Sequence, residues 1–298
     1  MKIGFVGLGK MGYNLALNAI DNKWDIVGFD VSEEIRLEAK KAGIKTVNSI
    51  GELLEELEEK KVIFLSTPAG EITNNLIKNF KELLKENDIV IDSGNSNFND
   101  TLSNYKLLKE KGIHFLDCGT SGGKSGARNG ACLMIGGEEK PFREMEEFFK
   151  SIATENGYLY TKKPGSGHYL KMIHNGIEYG MMQAIGEGFD ILNACQFEYD
   201  FEEVSKVWNN GSVIRSWLIE LAEEGFAKDK KLNKIKGVID ANGEAKWTVE
   251  EALRLDIPAP VIATSLFVRN NSKIDDSFSN KVVATLRNGF GGHDVYEK

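Results

Sequence analysis

A chain of 298 residues is long enough to form two domains, each with a substantial buried core. Its 41% hydrophobic and 28% charged residues are typical of a globular protein, and its apolar runs all fall short of the about 20 residues of a membrane span. The net charge of −8 disfavours a nucleic acid or an anionic membrane surface as the main partner.

The cysteines and histidines lack the spacing of a disulfide framework or a metal site. Cys118, Cys132 and Cys195 are odd in number and stand among apolar residues, so we predict reduced thiols in the core. Met1 leads directly into a strand pattern without a signal peptide, which predicts a cytoplasmic protein. We expect no metal site, because no histidine stands at metal-ligand spacing from a cysteine or a carboxylate. The four histidines are His114, His168, His174 and His293.

The first strand pattern leads into Gly7-x-Gly9-x-x-Gly12, then a helical pattern, then a second strand that ends at Asp30. The glycine spacing alone is weak evidence, but the whole unit is typical of a dinucleotide-binding fold. The glycines would allow a tight turn, and the helix N-terminus would bind phosphates through its free N–H groups. The predicted cofactor contacts in this motif are Gly7, Leu8, Gly9, Lys10, Met11 and Gly12.

Asp30 indicates which cofactor binds. A carboxylate at the end of the second strand can accept hydrogen bonds from the adenosine ribose diol and would repel a 2′-phosphate. Val31 follows it, and Arg36 lies further on in a helical pattern, where we expect it on a solvated face. The sequence therefore predicts NAD rather than NADP.

Strand patterns recur at 62–66, 88–92, 114–118 and 131–137, with helical patterns between them. This alternation predicts a Rossmann-like, doubly wound and mostly parallel α/β sheet, in which ligands bind at the carboxyl ends of the strands. Three segments at those ends are predicted loops: 66–70, 92–96 and the glycine-rich 119–130, which is either an anion-binding loop or a mobile turn. From the first loop we expect three cofactor contacts, Thr67, Pro68 and Ala69.

After residue 164 the patterns are helical only, which predicts a dinucleotide-binding domain over 1–164 and an all-helical domain with a C-terminal tail over 165–298. The first of these helices is apolar on nearly all sides, so we expect it to be buried. Lys171, His174, Asn175 and Glu178 fall on one of its faces. A buried Lys–Glu ion pair would explain the charges, but a spacing of two turns is too long for a direct pair, so we interpret this face as catalytic.

Basic residues recur in the second half: Lys246 beside Thr248 in a glycine-bearing connection, Arg269 near a helix end, and Arg287 and His293 around a glycine turn. Each could simply be a solvated surface charge, and Arg269 could also stabilise the C-terminus of its helix. In a protein of net charge −8, several such residues in ordered contexts favour binding of a phosphate dianion.

The chain resembles the decarboxylating 6-phosphogluconate dehydrogenases nearly end to end. The motifs GLGKMG, DSGN, SGGKSGARNG, GSGHYLKMIHNGIEYG, GEAKWT and RNGFGGH occur in the family's order, and KMIHNGIEYG is the most specific of them. By this resemblance Lys171 is the catalytic base and Glu178 the catalytic acid. The resemblance also implies substrate-binding positions at Asn95, Ser121, Gly122, Gly123, His174, Asn175, Tyr179, Lys246, Thr248, Arg269, Arg287 and His293; Asn95 is also expected at the cofactor.

The chain is similar to the short members of that family, because it holds one copy of the helical domain that the long members double. Long members commonly carry Asn-Arg-Thr after the second strand for NADP, where this chain has Asp30-Val31-Ser32, and Lys124 stands where they often have an acid. The resemblance implies a homodimer or homotetramer in which Arg287 and His293 complete a neighbouring subunit's site.

The implied reaction is the oxidative decarboxylation of 6-phospho-D-gluconate to D-ribulose 5-phosphate and CO₂ with reduction of NAD and without a metal ion. Another β-hydroxyacid dehydrogenase, such as one acting on 3-hydroxyisobutyrate, shares the length, the SGG loop and a Lys and Asn on the long helix. A non-catalytic NAD-binding sensor is a third alternative, which the Lys171–Asn175–Glu178 face disfavours.

Overall fold

The computed structural model describes residues 1–241 and 243–297. The strands are β1 (Lys2–Val6), β2 (Asp25–Phe29), β3 (Lys45–Thr46), β4 (Val62–Leu65), β5 (Ile89–Asp92), β6 (His114–Ser121), β7 (Ala131–Gly137) and β8 (Ala153–Tyr160). The helices of the first half are α1 (Lys10–Asp21), α2 (Glu33–Lys41), α3 (Ile50–Glu56), α4 (Glu71–Leu83), α5 (Phe98–Lys109), α6 (Gly123–Asn129) and α7 (Glu139–Ile152). The later helices are α8 (Ser166–Ala194), α9 (Phe201–Asn209), α10 (Trp217–Lys228), α11 (Gly243–Arg254), α12 (Pro260–Asn271) and α13 (Phe278–Gly291).

One eight-stranded sheet organises the first half, in the order β3-β2-β1-β4-β5-β6-β7-β8. The strands from β3 to β6 pair in parallel, β7 runs antiparallel to β6, and β8 is parallel to β7. Apolar side chains from both faces of the central strands are fully buried under helices, among them Phe5, Phe64 and Phe115. The predicted doubly wound, mostly parallel sheet is confirmed, and its strand order reverses between β1 and β4, where such sheets bind ligands.

The prediction of a single loop over the glycine-rich stretch is wrong. Residues 119–130 are not one loop: β6 continues to Ser121, and α6 occupies Gly123–Asn129. The edge strand β8 was not predicted at all, because its half-exposed, polar sequence lacks an apolar alternation.

The described chain forms two compact units, Met1–Asn175 and Gly176–Lys298. The predicted domain boundary at 164/165 stays a prediction. The all-helical second half is confirmed, with two local differences. Lys246 lies in the first turns of α11 rather than in a connection before it, and α13 continues through the predicted glycine turn to Gly291.

The prediction that the long helix α8 is buried on nearly all sides is wrong. Several of its apolar side chains are exposed, with Ile177 52%, Met181 44% and Ile191 70% exposed. The prediction of three core thiols is also wrong in part: all three cysteines are free, but Cys118 is buried, Cys195 is half-buried and Cys132 is exposed. Among the described helices, none is long and apolar enough to cross a membrane.

Candidate active site

A cavity of about 730 Å³ lies at the carboxyl ends of the parallel strands. Residues of the glycine motif, the β2 end and the loops after β4 and β5 line it, among them Gly7, Gly9, Lys10, Met11, Asp30, Thr67, Pro68 and Asn95. Gly7 has φ 90°, a conformation that favours glycine, and a Cβ on Gly12 would come within 2.9 Å of the Ser66 side chain. The turn is therefore built as the glycine spacing predicts, with α1 packed closely behind it.

Three predicted cofactor residues do not line this cavity. Gly12 packs behind the turn, as above, and Leu8 is buried against Gly28. Ala69 lies just beyond Pro68, outside the lining. Apolar residues that were not predicted as cofactor contacts also line the cavity, among them Ile50, Ile72 and Leu76. The i, i+4 spacing of Ile72 and Leu76 directly after the loop at 66–70 was the available signal.

Asp30 joins the end of β2 to the glycine turn. Its Oδ2 accepts the backbone N–H of Leu8 at 2.8 Å, and its Oδ1 accepts that of Ser32 at 2.9 Å. Arg36 does not lie on a solvated face as predicted: its guanidinium donates to the backbone carbonyl oxygens of Asp30, at 2.7 Å, and Val31, at 3.2 Å. The side chain that could have met a 2′-phosphate is thus bonded to the backbone of the β2 end.

Asn95 connects the loop after β5 to the end of β6. Its side-chain NH₂ donates to the carbonyl of Thr120 at 3.1 Å, and its Oδ1 accepts the N–H of Thr120 at 2.9 Å. It adopts φ 54°, a conformation that asparagine tolerates better than most residues. Asn95 therefore lines the cavity and also fixes the strand end that carries Ser121.

A polar cluster around a buried amine lies where α8 passes β6. The amine of Lys171 donates to Oδ1 of Asn175 and lies 3.4 Å from Nδ1 of His174. His174 Nδ1 is 3.0 Å from the same Asn175 oxygen, and its Nε2 is 3.3 Å from the hydroxyl of Ser121. Lys171 is 5% exposed and Asn175 is 7% exposed. The structure thus brings together four of the predicted site residues, around an amine shielded from water.

Backbone geometry brings this cluster close to the sheet. A Cβ on Gly119 would lie 2.5 Å from Cβ of Lys171, so only glycine leaves room for the lysine stem. Gly122 and Gly123 follow with φ 111° and 57° and turn the chain from β6 into α6. These two predicted substrate positions therefore stand at the N-terminus of a short helix, next to Ser121.

In the second unit, Tyr179 and Arg269 are in direct contact. The guanidinium carbon lies 3.4 Å from the centroid of the tyrosine ring, a cation–π arrangement, and Nη1 donates to the carbonyl of Asp240 at 3.2 Å. Thr248 is buried, its hydroxyl donates to the carbonyl of Glu244 at 2.8 Å, and it packs on Gly176, where a Cβ would come within 2.7 Å. Only glycine at position 176 therefore leaves room for Thr248.

The remaining predicted phosphate-end residues are exposed. Lys246 lies 3.6 Å from Glu250 in a surface ion pair. Arg287 belongs to α13, and His293 follows it, with its carbonyl accepting a hydrogen bond from Asn288 at 2.9 Å. None of the fourteen residues of α13, all of them described, is buried. Across residues 1–241 and 243–297, no group of three His, Cys, Asp or Glu side chains is arranged to hold a metal ion.

Comparison with known proteins gives a match to each half of the chain. A family model for the NAD binding domain of 6-phosphogluconate dehydrogenase matches residues 2–161, and one for the 6-phosphogluconate dehydrogenase C-terminal domain matches residues 167–289.

Relatives match along the full length. A Bacillus subtilis protein named as a provisional 6-phosphogluconate dehydrogenase is 49% identical over 298 residues, 100% of both chains. The NAD(+)-dependent, decarboxylating 6-phosphogluconate dehydrogenase of Haloferax volcanii is 39% identical, covering 100% of this chain and 99% of that one. The 6-phosphogluconate dehydrogenase structure from Plasmodium falciparum superposes with a TM-score of 0.85 at 30% identity, and this chain spans 66% of its length.

Proposed function

Because the chain belongs to the 6-phosphogluconate dehydrogenase family, we propose that it converts 6-phospho-D-gluconate to D-ribulose 5-phosphate and CO₂ with reduction of NAD. The buried cluster of Lys171, His174 and Asn175 beside Ser121 carries this proposal. In support of the proposal, an amine, an amide and an imidazole on α8 lie beside a hydroxyl at the end of β6, which are groups that can hydrogen-bond a polyhydroxy acid.

In the proposed first step, neutral Lys171 removes the proton of the C3 hydroxyl. NAD, when bound, accepts the hydride from C3. Asn175 Oδ1 holds the amine by its hydrogen bond and so orients its lone pair. The exclusion of water from Lys171 favours the uncharged amine, because burial disfavours a charge.

In the second step, the C1–C2 bond of the 3-keto acid breaks, CO₂ leaves, and the electron pair passes to the C3 oxygen. Lys171, now an ammonium group, returns its proton to that oxygen. Since this side chain can neutralise the developing charge, the proposal includes no metal ion, and a chelator should leave the rate unchanged.

In the last step, Glu178 protonates the former C2 of the enediol as it becomes a ketone. Glu178 lies two turns after Lys171 in the continuous helix α8. Helical periodicity places side chains with this spacing on the same face, so both could serve one extended substrate.

Initial rates with 6-phosphogluconate and with gluconate test the proposal. The phosphate would bind to basic residues such as Arg269, and the loss of one or two charge-assisted hydrogen bonds should lower kcat/KM by about a hundredfold. CO₂ and NADH should form in equal amounts. Rates that are indifferent to the phosphate, with turnover of 3-hydroxyisobutyrate, would contradict it, and tight NAD binding without turnover of any sugar acid would indicate a sensor.

Replacing Asp30 by asparagine is expected to reduce the preference for NAD over NADP. The amide retains an oxygen that can accept the Leu8 N–H, but it removes the charge that repels a 2′-phosphate. We expect the ratio of kcat/KM for NAD to that for NADP to fall by about tenfold or more, measured by initial rates with each cofactor. An unchanged ratio would show that the Asp30 charge does not select the cofactor.

Asp25 provides the matched control for this variant. It begins the same strand, β2, and its exposed carboxylate pairs with Lys2 at 3.8 Å, outside the cavity lining. Asp25→Asn should therefore leave the ratio unchanged.

We further propose a homodimer or homotetramer in which the tail of one subunit completes the site of another. Apolar side chains on α8 are exposed, and α13 exposes Phe278, Leu286 and Phe290 at 60% or more. Large exposed apolar side chains are common at interaction sites on proteins, so a second copy of the chain is the proposed partner.

Mixing two inactive variants, Lys171→Ala and Arg287→Ala, tests whether the tail acts in the partner's site. If it does, a mixed dimer has one site with both side chains intact, and random mixing should restore activity to roughly a quarter of the wild-type sites. The measurement is the rate at low substrate after the chains are unfolded and refolded together.

A mixture of Lys171→Ala with Glu178→Ala is the control, because these two residues lie in one helix and should never complement. If Lys171→Ala with Arg287→Ala also gives no recovery, Arg287 acts within its own subunit.

A further inference from the structure

The N-terminus of helix α8 is bound by a carboxylate from the sheet. Asp117 lies in β6 and is fully buried. Its Oδ1 accepts the N–H of Gly165 at 2.7 Å, and its Oδ2 accepts the N–H of His168 at 2.9 Å. These are N–H groups of the residue before the helix and of its third residue, which normally need a capping side chain. Gly165 has no side chain to supply one, so Asp117 supplies both acceptors.

The same stretch of β6 also fixes the lysine. Asp117 and Gly119 are two residues apart and so lie on one face of the strand. Gly119 meets the stem of Lys171, where an added Cβ would lie 2.5 Å from the lysine Cβ. Lys171 comes one helical turn after His168, so the capped end and the amine form a short, rigid unit.

A second contact holds this first turn. His168 is 1% exposed, and its Nδ1 lies 2.8 Å from the hydroxyl of Thr101 in α5. Burial raises the pKa of Asp117, while the charge of His168 and the two N–H donors act in the opposite direction. The carboxylate form is the one that can accept from both N–H groups and that suits the positive end of a helix dipole.

We propose that Asp117 is a positioning residue for Lys171: by capping α8 from β6, it sets where the amine stands relative to the C3 hydroxyl. This proposal rests on the role of Lys171 proposed above. A misplacement of about 1 Å can reduce turnover a hundredfold, so the effect should appear in kcat rather than in cofactor binding. Asp117 itself does not touch the substrate in this proposal.

The test compares Asp117→Asn with Asp88→Asn. Asp88 is also buried and also accepts two backbone N–H groups, those of Lys61 and Lys85, both at 2.8 Å. It precedes β5, at the end of the sheet opposite the cavity. The two variants lose the same kind of hydrogen bond, and only one of them adjoins the catalytic helix.

For Asp117→Asn we expect kcat per NAD-binding site to fall by about 10- to 100-fold, with the Kd of NAD within about twofold of wild type. Titration with NAD counts the folded sites. A variant that only yields less folded protein therefore shows no loss of kcat per site. The deuterium isotope effect on kcat with 3-deuterated substrate should rise, because a misaligned base makes the chemical step limiting. Asp88→Asn should leave all three quantities unchanged per folded site. If Asp117→Asn does not fold, Asp117→Ser, which leaves room for a bridging water, takes its place.

Equal kcat per site in Asp117→Asn and wild type, or an equal loss in both variants, would overturn the proposal. If the wild-type protein does not turn over 6-phosphogluconate, the proposed function fails, and the position of Lys171 is then read from the rate at which trinitrobenzenesulfonate labels its amine. A labelling rate that changes in Asp117→Asn and not in Asp88→Asn supports the proposal. A labelling rate that changes in neither variant, or equally in both, overturns it.

Discussion

Replacing Lys171 by alanine is expected to reduce turnover by about 10³- to 10⁴-fold, the range in which a positioned general base contributes. The amine is buried, it donates to Asn175, and it approaches His174, so nothing in water can replace it at that place. Steady-state rates of NADH formation measure the loss, and NAD affinity should stay within about twofold because the lysine does not line the cofactor cavity.

Two further variants separate the chemistry of this amine from packing. Lys171→Met fills most of the volume without a base and should be as inactive as the alanine variant. Lys61 also donates from its amine within the first unit, to the carbonyl oxygens of Leu54 and Glu58, so Lys61→Ala serves as the matched control and should keep normal turnover. Near-normal activity in Lys171→Ala would remove the proposed base.

Replacing Glu178 by glutamine is expected to slow steady-state turnover by about 10²-fold while leaving hydride transfer nearly intact. The acid acts after oxidation and decarboxylation, so NADH should appear in a burst of about one equivalent per site, followed by a slow phase. Rapid-mixing absorbance measurements of NADH resolve the two phases.

Glu187, an exposed carboxylate on the same helix that pairs with Gln183, is the control for this experiment. Glu187→Gln should behave as wild type. If the Glu178→Gln burst is absent and its first turnover is as slow as later ones, Glu178 acts at or before hydride transfer instead of after it.

The sequence predicted best what local spacing determines. The glycine turn and the end of β2 next to Asp30 follow from patterns of a few adjacent residues, and the structure has the turn as expected and ends β2 one residue before Asp30. Asn95, Ser121, His174 and Asn175 were expected near the site from the family motifs. The hydrogen bonds between Asn95 and Thr120 and between Lys171 and Asn175 depend on how the strands and the helix pack together. The spacing of residues in the sequence does not predict that packing.

The errors arise where a contact distant in sequence overrides local preference. Helix α6 is glycine-rich and would be unstable alone, but Ala127 is buried and its carbonyl accepts a hydrogen bond from Asn18 at 3.1 Å. Strand β8 forms because β7 offers a free edge, although its own sequence, with Asn156 at φ 58°, shows no strand period. Arg36 was predicted on a solvated face, but its guanidinium donates a hydrogen bond to the backbone carbonyl oxygen of Asp30.

The apolar pattern of α8 illustrates another limit. Such a pattern indicates that a side chain is buried away from water. It does not indicate whether the same chain or another molecule buries it. Ile177 and Ile191 are as apolar as core residues, yet their own chain leaves them exposed. Sequence therefore cannot separate burial within one subunit from burial between subunits.

Helix α13 buries none of its described residues within its own chain. A fourteen-residue helix, none of whose described residues is buried, has little beyond intrinsic propensity to hold it, and isolated helices of that length are marginal in water. In the proposed assembly the stabilising free energy comes from the subunit surface on which α13 docks, and the ordering of the segment is then linked to protein concentration by mass action. At concentrations below the dissociation constant of the assembly, these last turns would melt before the sheet does and would become the first point of proteolytic attack.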